Sequence, residues 1–418
     1  MCKIAIIGAG ISGLSAGQIL GKKHKVELFD KAPKPGGLVK CDRINDNLFH
    51  KVGGHVFNSR NQKVLDWFWN FFDRDNEFIK ARRNAKILLE GQLIGYPLEN
   101  YLHQLDKGLV SKILDDFISP NYKPKMPFEY ANFAEFLKSN FGETLYEIYF
   151  RPYNEKIWNT DLSNIPLHWL DGKLPMPNLK EMLLSNIVVQ EETEMVHATF
   201  YYPKEDGSQF IANRLAQGLT IHQNAEISHI EKRDGKYWLS GQGPFDKIVY
   251  TGDIRKIDQI LSSTDISRKI SGGLKDLPSN GTSNIFCETD FGDISWLYLP
   301  GEEVKAHRII YTGTFAESNN RGSKRQTCVV EFSGTYTYEF MSEQIKKLPG
   351  SLVPLGYNQE PNSYILHAHG SKAAIEEVRE TLKKENIYLL GRFAEWEYYN
   401  MDKAIEAAMA LDDELNDK

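Results

Sequence analysis

The spacing of apolar and polar residues predicts a β–α–β unit at the start of the chain. The apolar run at 3–7 indicates a buried strand, 11–21 a helix, and 25–30 a second strand. Further along, 62–80 predict one helix with an aromatic face that belongs to the core. Residues 85–96 predict a hairpin, because two short apolar runs flank a glycine.

A change of period at residue 98 predicts a different kind of structure. Apolar residues spaced three and four apart through 98–150 indicate inserted helices. Residues 219–251 return to short strands, and 283–335 are also strand-like. The chain then closes with a strand at 387–391 and a helix at 401–415. A fold that opens and closes on similar elements is discontinuous in sequence.

Composition narrows the class of protein. The chain has 418 residues, which predicts two or three domains. A formal net charge of −6 gives no reason to expect nucleic acid or an anionic membrane as partner. We expect no signal peptide and no membrane span, so the cytoplasm is the expected location. The four cysteines have no metal-ligand spacing, which predicts reduced thiols and no metal site: Cys2, Cys41, Cys287 and Cys328.

The sequence GAGISG at the first strand-to-helix turn predicts a dinucleotide site. Gly8 permits the tight turn, Gly10 lets the main chain approach a pyrophosphate, and Gly13 lets helix and strand pack closely. The N-terminus of the helix adds free N–H groups and partial positive charge. Asp30 ends the second strand, where a carboxylate can accept both ribose hydroxyls. The four residues therefore form one candidate site.

Three further segments favour FAD over NAD as the dinucleotide. Gly36 and Gly37 follow Asp30, where flavoproteins with two dinucleotide-binding motifs carry a Gly-Gly pair beside the FAD pyrophosphate. Gly252 lies in VYTGD, which resembles a second flavin-side strand, and Gly391 follows the last strand. We therefore predict an α/β fold with a discontinuous Rossmann-like FAD-binding domain, an inserted helical-bundle domain and an antiparallel sheet domain. The expected boundaries are 1–80, 200–270 and 370–418 for the FAD-binding domain, 98–185 for the helical domain, and 81–97 with 271–369 for the substrate-side sheet.

Four segments resemble the UDP-galactopyranose mutase family, in the same order along the chain. They are HKVGGHVFNS (50–59), PYNEKIWN (152–159), SWLYLP with HRIIYT (295–300 and 307–312), and GRFAEWEYYNMDKAIEAAM (391–409). The resemblance implies a flavin-facing loop, a uridine-binding segment, a strand with a catalytic arginine, and a phosphate-binding terminus. The residues at those positions are Gly53, Gly54 and His55, then Tyr153 and Trp158, then Arg308, then Arg392 and Tyr398.

The chain departs from the family around the sugar and the diphosphate. Bacterial members carry two arginines after the uridine segment, where this chain has Lys173 and Pro177. Lysine is a point charge and gives no bidentate contact. A tyrosine-rich step in the third quarter is reduced here to Asn362 and Tyr364, of which Tyr364 is the candidate for substrate binding. The sugar and the nucleotide are therefore left open.

The resemblance implies a mutase that interconverts pyranose and furanose forms of a nucleotide-diphosphate sugar, with UDP-galactopyranose and UDP-galactofuranose as the family's pair. The family works through an adduct between the sugar and N5 of reduced FAD, with NADH or NADPH as the expected reductant. Arg308 and Arg392 would hold the diphosphate charge, with Lys173 as a third cation and His55 near the flavin. The helix starting at Met401, with Asn400 as its N-cap, would point its positive end at the reduced flavin.

Two other functions stay open. The first is an amine-oxidase-like or protoporphyrinogen-oxidase-like enzyme, which shares the GAGISG opening but lacks the PYNEKIW and HRIIY segments. The second is a non-catalytic protein that binds FAD or a sugar nucleotide, against which the retention of both Arg308 and Arg392 counts. The choice between monomer and homodimer is also open.

Overall fold

The computed structural model describes residues 1–120, 122–125, 129–167, 179–188, 199–261, 265–270, 274–368 and 370–416. Its strands are β1 (Lys3–Ile7), β2 (Lys25–Phe29), β3 (Cys41–Ile44), β4 (Asn47–His50), β5 (Phe78–Arg82), β6 (Ala85–Leu89), β7 (Gln92–Gly95), β8 (Thr199–Pro203), β9 (Thr220–His222), β10 (Ile230–Arg233), β11 (Lys236–Leu239), β12 (Gln242–Phe245), β13 (Lys247–Tyr250), β14 (Ser279–Thr289), β15 (Trp296–Tyr298), β16 (Ala306–Ile310), β17 (Gln326–Ser333), β18 (Val353–Ile365) and β19 (Ile387–Leu389).

The helices are α1 (Ile11–Leu20), α2 (Gln62–Trp69), α3 (Arg74–Glu77), α4 (Lys107–Ile118), α5 (Phe133–Leu145), α6 (Arg151–Trp158), α7 (Leu179–Val188), α8 (Gly207–Ala216), α9 (Ile257–Ile260), α10 (Asp265–Ile270), α11 (Tyr338–Ile345), α12 (Ser371–Lys384) and α13 (Met401–Asn416). A π-helical turn at Tyr146–Phe150 joins α5 to α6. None of the helices in the described ranges is both long and apolar enough to cross a membrane.

A five-stranded sheet in the order β19–β13–β1–β2–β9 forms the dinucleotide-binding part of the fold. All four strand pairs are parallel. Helices α1 and α13 pack on it, through a core that includes Leu14, Ile405 and Ala408. Parallel sheets covered by helices are typical of Rossmann-like folds, which agrees with the predicted class.

A seven-stranded sheet in the order β18–β14–β17–β16–β15–β6–β7 forms a second layer. Its pairs are antiparallel except for one, since β15 and β6 run parallel. Helices α4, α5 and α6 cover the β6 and β15 end, where Trp296 and Tyr298 enter their apolar core. The hairpin predicted at 85–96 is β6 and β7.

The single helix predicted at 62–80 is wrong in its second half. Helix α2 ends at Trp69, and the side chain of Asp73 then caps the short helix α3 by accepting from the N–H groups of Asp75 and Asn76. Residues 78–82 form β5, which pairs antiparallel with β8 at 199–203. Pairing with a strand more than 100 residues away overrides the local helical pattern.

Candidate active site

Four loops of the parallel sheet meet at one edge, because the carboxyl ends of parallel strands lie together. Gly8 follows β1, Asp30 follows β2, Gly252 follows β13, and Gly391 follows β19 after one residue. The structure therefore brings together segments that lie up to about 380 residues apart in the sequence.

The glycines of GAGISG are constrained in different ways. Gly8 has φ +109°, and a Cβ there would lie 2.2 Å from Thr251 Oγ1. A Cβ at Gly13 would lie 2.0 Å from the carbonyl oxygen of Gly8, so only glycine allows helix α1 to pack this closely on β1. A Cβ at Gly10 meets nothing nearer than Gly37 Cα at 3.8 Å. The fold itself thus requires Gly8 and Gly13, whereas Gly10 leaves room in front of the main chain.

The predicted Gly-Gly pair lies against this turn. The N–H of Gly36 donates to Ala9 O at 2.8 Å, and Gly36 forms a parallel bridge with Gly10. A Cβ at Gly37 would lie 3.1 Å from Gly10 Cα. Two main-chain segments without side chains therefore run next to each other at the start of α1.

Asp30 has a structural contact that the sequence analysis did not assign. Its Oδ2 accepts from the N–H of Ala9 at 2.6 Å, and its Oδ1 accepts from the N–H of Ala32 at 2.8 Å. The carboxylate therefore fixes the glycine turn. Each carboxylate oxygen has a second lone pair, so a ribose contact remains compatible with this arrangement and stays a prediction.

The C-terminal segment closes the same edge. Gly391 has φ +94°, and a Cβ there would lie 2.4 Å from Ser12 Oγ in α1. Gly252 packs on the ring of Tyr250, with the ring hydroxyl 2.8 Å from the place of a Cβ. Met401 is 8% exposed and lies in the apolar core that includes α1.

The arrangement fits a dinucleotide. Helix α1 has ten residues, and its N-cap residue Gly10 makes no side-chain hydrogen bond to the first N–H groups. Those groups are left for an anion, together with the partial positive charge of the helix end. The first turn of α1 and the Gly36–Gly37 pair would therefore hold the pyrophosphate of bound FAD.

The predicted flavin-facing loop lies between the two sheets. Gly53 has φ +57°, and a Cβ there would lie 3.5 Å from both Arg308 Nη2 and Glu331 Oε2. A Cβ at Gly54 would lie 2.5 Å from Ile310 Cγ2, which is too close for any side chain. The loop thus contacts the seven-stranded sheet directly.

His55 is oriented by a buried neighbour. Its main-chain N–H donates to Nδ1 of His50 at 3.3 Å, and His50 Nε2 lies 2.7 Å from Tyr202 OH. Burial lowers the pKa of His50 to about 3, and burial with the nearby Arg392 charge lowers the pKa of His55 to about 4. Both imidazoles are therefore neutral at pH 7. Nε2 of His55 is buried and has no partner among the described residues, so it is available to a ligand.

Arg308 belongs to a network centred on a buried carboxylate. Its Nη2 donates to Glu331 Oε1 at 2.7 Å and to Tyr364 OH at 2.9 Å. The same Oε1 lies 2.9 Å from His307 Nε2 and accepts from Tyr364 OH at 2.8 Å. Burial favours the neutral acid, but the charge of Arg308 and the hydrogen bond from His307 outweigh it and lower the pKa of Glu331. The carboxylate is therefore ionised.

Arg392 reaches the same region from the C-terminal segment. Its guanidinium lies over the ring of Tyr398, 4.5 Å from the centroid, and Tyr398 stacks parallel to Tyr364 with centroids 6.1 Å apart. Nε donates to Tyr399 O at 3.1 Å and Nη1 donates to Ser363 O at 3.1 Å. The second arginine is thus linked to the first through two stacked tyrosines.

The predicted uridine segment is helix α6. Trp158, at its end, makes an edge contact with Tyr364 at 6.0 Å between centroids. Tyr153 is 9% exposed, stacks on Tyr149 at 5.6 Å and meets Tyr298 edge-on at 5.3 Å. Trp158 therefore borders the arginine network, while Tyr153 is part of an aromatic wall beside it.

One lysine attaches α6 to the seven-stranded sheet. Lys156 Nζ lies within hydrogen-bond distance of four main-chain carbonyl oxygens in the β15–β16 connection and at the start of β16, those of Leu299 (2.7 Å), Gly301 (2.5 Å), Val304 (3.0 Å) and Ala306 (3.3 Å), which share its three N–H donors. Burial lowers its pKa to about 8. This anchor fixes the position of Trp158 relative to Arg308, two residues beyond the last carbonyl.

Three positions mark where the sequence departs from the family that it resembles: Lys173, Pro177 and Asn362. Lys173 and Pro177 lie outside the described residues. Asn362, considered as a lost substrate contact, accepts from Arg255 Nη2 at 2.6 Å and donates to Asp253 Oδ2 at 3.2 Å. Because Asp253 and Arg255 follow β13, Asn362 joins the two sheets.

The structure brings most of the predicted substrate-side residues into one region: His55, Tyr153, Trp158, Arg308, Tyr364, Arg392 and Tyr398. Sequence reasoning missed Glu331, His307 and His50. The available signal was a glutamate inside the apolar strand TCVVEF, since a charged residue in a buried strand needs a partner.

Comparisons with known proteins agree with this geometry. An NAD(P)-binding Rossmann-like domain matches residues 6–74. The chain is 23% identical over 416 residues to the UDP-galactopyranose mutase of Mycoplasma genitalium, covering 96% of this chain and 92% of the relative. It is 26% identical over 170 residues to the dTDP-fucopyranose mutase of Escherichia coli, covering 40% of this chain and 44% of the relative.

A crystal structure of reduced UDP-galactopyranose mutase matches the fold with a TM-score of 0.85 at 20% identity, covering 100% of this chain and 96% of that chain. The predicted fold class is confirmed. The matches also confirm the predicted resemblance: the chain is similar in sequence and in fold to UDP-galactopyranose mutases. The Rossmann-like match and the flavoprotein relatives support the use of FAD.

Proposed function

We propose that the chain is an FAD-dependent nucleotide-sugar mutase, an isomerase that interconverts pyranose and furanose forms of the sugar. The observation that supports this proposal most strongly is the pair of arginines, Arg308 and Arg392, beside the loop that carries His55. The two arginines are connected through the stacked rings of Tyr364 and Tyr398. Cations placed in this way suit a diphosphate rather than an amine. UDP-galactopyranose is the first substrate to test, because the relative that aligns with nearly the whole chain is a UDP-galactopyranose mutase.

The arginines would act on the leaving group. Breaking the anomeric C–O bond leaves negative charge on the diphosphate, and two guanidinium groups stabilise that charge as it develops. Arg392 now donates to main-chain carbonyls, which a diphosphate oxygen can replace with a stronger charge-assisted bond. The hydroxyl of Tyr398 adds a neutral donor. Lys173 is proposed as a third cation.

The remaining groups would position the reactants. Bound FAD, when reduced, supplies a nucleophile for the anomeric carbon, so the chain needs no nucleophilic serine or cysteine. Neutral His55 offers a buried nitrogen beside the cradle without adding charge. Trp158 offers an aromatic face for a pyrimidine next to the arginines. The domain boundaries given by the sequence are part of this proposal, with the FAD-binding segments flanking the two inserted domains.

The test is a substrate screen under anaerobic conditions. Purified protein is reduced with dithionite, NADH or NADPH, with flavin bleaching as the readout of each reductant. It is then incubated with UDP-galactopyranose or dTDP-fucopyranose, and furanose product is separated by anion-exchange chromatography. Arg308→Ala protein, purified identically, controls for contaminating mutase from the host. We expect many turnovers per reduction and no net redox change in the sugar.

Three outcomes contradict the proposal. Protein that contains no FAD and takes up none removes its basis. Oxidised protein that turns over as fast as reduced protein contradicts the role of the reduced cofactor. One reductant consumed per product, or oxygen uptake with amines or porphyrinogens, assigns the chain to the oxidoreductase alternative instead.

A further inference from the structure

Glu331 is 0% exposed, and one of its two oxygens carries the whole hydrogen-bond network at Arg308. Oε1 accepts hydrogen bonds from Arg308 Nη2, Tyr364 OH and His307 Nε2, all at 2.7–2.9 Å. Oε2 is buried and has no partner among the described residues. A carboxylate that served only to anchor the sheet would be expected to use both oxygens, since an unsatisfied buried oxygen is costly.

The strand register explains how two of the three donors, Arg308 and His307, reach the same oxygen. Arg308 on β16 lies directly opposite Glu331 on β17, and the pairing shifts between Ala306 and Arg308. Successive side chains of a regular strand point to opposite faces, so His307 and Arg308 would normally diverge. The irregularity lets both contact Glu331. Bulges of this kind re-aim side chains and are frequent beside active sites.

The network restrains the guanidinium in two ways. The ion pair fixes Nη2 of Arg308, and Tyr364 OH bridges the same nitrogen to the same oxygen. Burial lowers the pKa of His307 more than Glu331 raises it, so the imidazole is neutral and Nε2–H donates to Oε1. Glu331 thus holds the charged guanidinium of Arg308 in place. The neutral His307 donates to the same carboxylate without adding a second positive charge.

We propose that Glu331 is a positioning residue for Arg308, aiming its guanidinium at the diphosphate, with Tyr364 and His307 fixing the carboxylate. This inference rests on the proposed function, because it assigns a purpose to Arg308 in that reaction. The alternative is an ion pair that only stabilises the seven-stranded sheet.

The test is Glu331→Gln, measured for turnover and for the Kd of UDP. Removing the negative charge leaves Arg308 with less restraint but raises the net positive charge of the site. We therefore expect kcat to fall by about 10- to 100-fold while UDP binds as tightly as before or tighter. FAD content is expected to stay unchanged. A structural role would instead weaken turnover, UDP binding and thermal stability together.

The control is Glu77→Gln, which removes the carboxylate of a partly buried ion pair with Arg214 in the dinucleotide-binding part. We expect normal kcat and normal Kd for UDP there. A cycle with Arg308→Lys is expected to be non-additive, so that the double variant loses little more than the worse single variant.

The possible failures are distinguishable. Wild-type protein that converts no nucleotide sugar contradicts the proposed function, and the Kd of UDP then still tests the positioning of Arg308. Turnover of Glu331→Gln within twofold of wild type, additive effects in the cycle, or parallel loss of UDP binding and stability would each overturn the assignment. If Glu331→Gln does not fold, Glu331→Asp with the same two readouts decides, since it keeps the charge and shortens the reach.

Discussion

The two sides of the candidate active site are built from different parts of the polypeptide. At the edge of the parallel sheet, the segments of the site pack on each other closely through their main chains. This is possible because glycines without side chains occupy the positions of closest approach: Gly8, Gly13, Gly37 and Gly391. On the seven-stranded sheet, the contacts are made by side chains that converge on Glu331. The first side presents N–H groups to any dinucleotide, whereas the second depends on which side chains are present.

The difference predicts how each side fails. A main-chain cradle is broken by added atoms, and its failure is loss of the cofactor, with loss of the fold as well where the added atom would overlap the main chain. A side-chain network is broken by removed atoms, and its failure is loss of turnover with the fold retained. Substitutions on the two sides therefore separate the two kinds of function, and they can be ordered by the size of the expected effect.

The largest effect is expected from Gly13→Ala. The new Cβ would lie 2.0 Å from Gly8 O, so α1 has to move away from β1. We expect the free energy of unfolding to fall by about 3 kcal/mol or more, as for severe overpacking, and FAD to be lost. Urea denaturation and the flavin absorbance of purified protein measure the two effects.

Gly10→Ala is the matched control for that substitution. Its Cβ would meet only Gly37 Cα at 3.8 Å, an ordinary contact, so we expect stability within about 1 kcal/mol of wild type. FAD retention should nevertheless fall, because the methyl group stands where the pyrophosphate approaches. Full FAD occupancy in both variants would contradict the assignment of the cradle.

The next effect is expected from Arg308→Ala, on the side-chain side. Loss of a charge-stabilising donor typically reduces kcat by about 10²-fold or more, and FAD content should not change. Arg308→Lys should rescue only part of the activity, because the fork geometry of the guanidinium is lost. Arg321→Ala, which removes an exposed partner of Glu205, controls for a general charge effect. Near-normal turnover of Arg308→Ala would shift the role to Arg392.

A smaller effect is expected from Trp158→Ala. Its ring borders Tyr364 and the arginine network, and we expect the Kd of UDP to rise by about 10-fold, as for loss of one aromatic contact with a base. FAD binding should be kept. Isothermal titration calorimetry measures the first quantity and flavin absorbance the second. Trp238→Ala, on β11, should change neither, and loss of FAD in Trp158→Ala would place this residue with the core instead.

The same contrast explains what the sequence could predict. The glycine turn and Asp30 are local patterns with a fixed geometry, so their meeting at one sheet edge followed from strand and helix signals alone. Glu331 lies in TCVVEF, which indicates only a buried strand, and its partners come from β16 and β18. Their contact depends on register and on the irregularity at His307, which no local pattern specifies. The strand at 78–82 was not predicted for the same reason, because its partner β8 lies far away along the sequence.

The smallest expected effect is a pH dependence of the unfolding free energy, which arises where the two sides of the site meet. His50 and His55 are neutral in the folded protein, with pKa values lowered to about 3 and about 4, against about 6.5 in the unfolded chain. Above pH 6.5 neither state binds a proton at these sites, so they contribute no pH dependence. Below pH 6.5 the unfolded chain binds protons that the folded protein does not, and stability must fall as the pH falls. The window runs from about 6.5 down to about 4 for His55 and about 3 for His50.

Replacing His50 by Gln removes one of the two imidazoles that bind a proton in the unfolded chain but not in the folded protein. We expect the slope of the unfolding free energy against pH, measured by urea denaturation between pH 6 and 5 at fixed FAD concentration, to decrease by about 1 kcal/mol per pH unit. An unchanged slope in His50→Gln would mean that the imidazole takes up its proton in the folded state. The loop that carries His55 would then be held at acid pH by a charged neighbour, and the contact between the cofactor side and the arginine network would itself depend on pH.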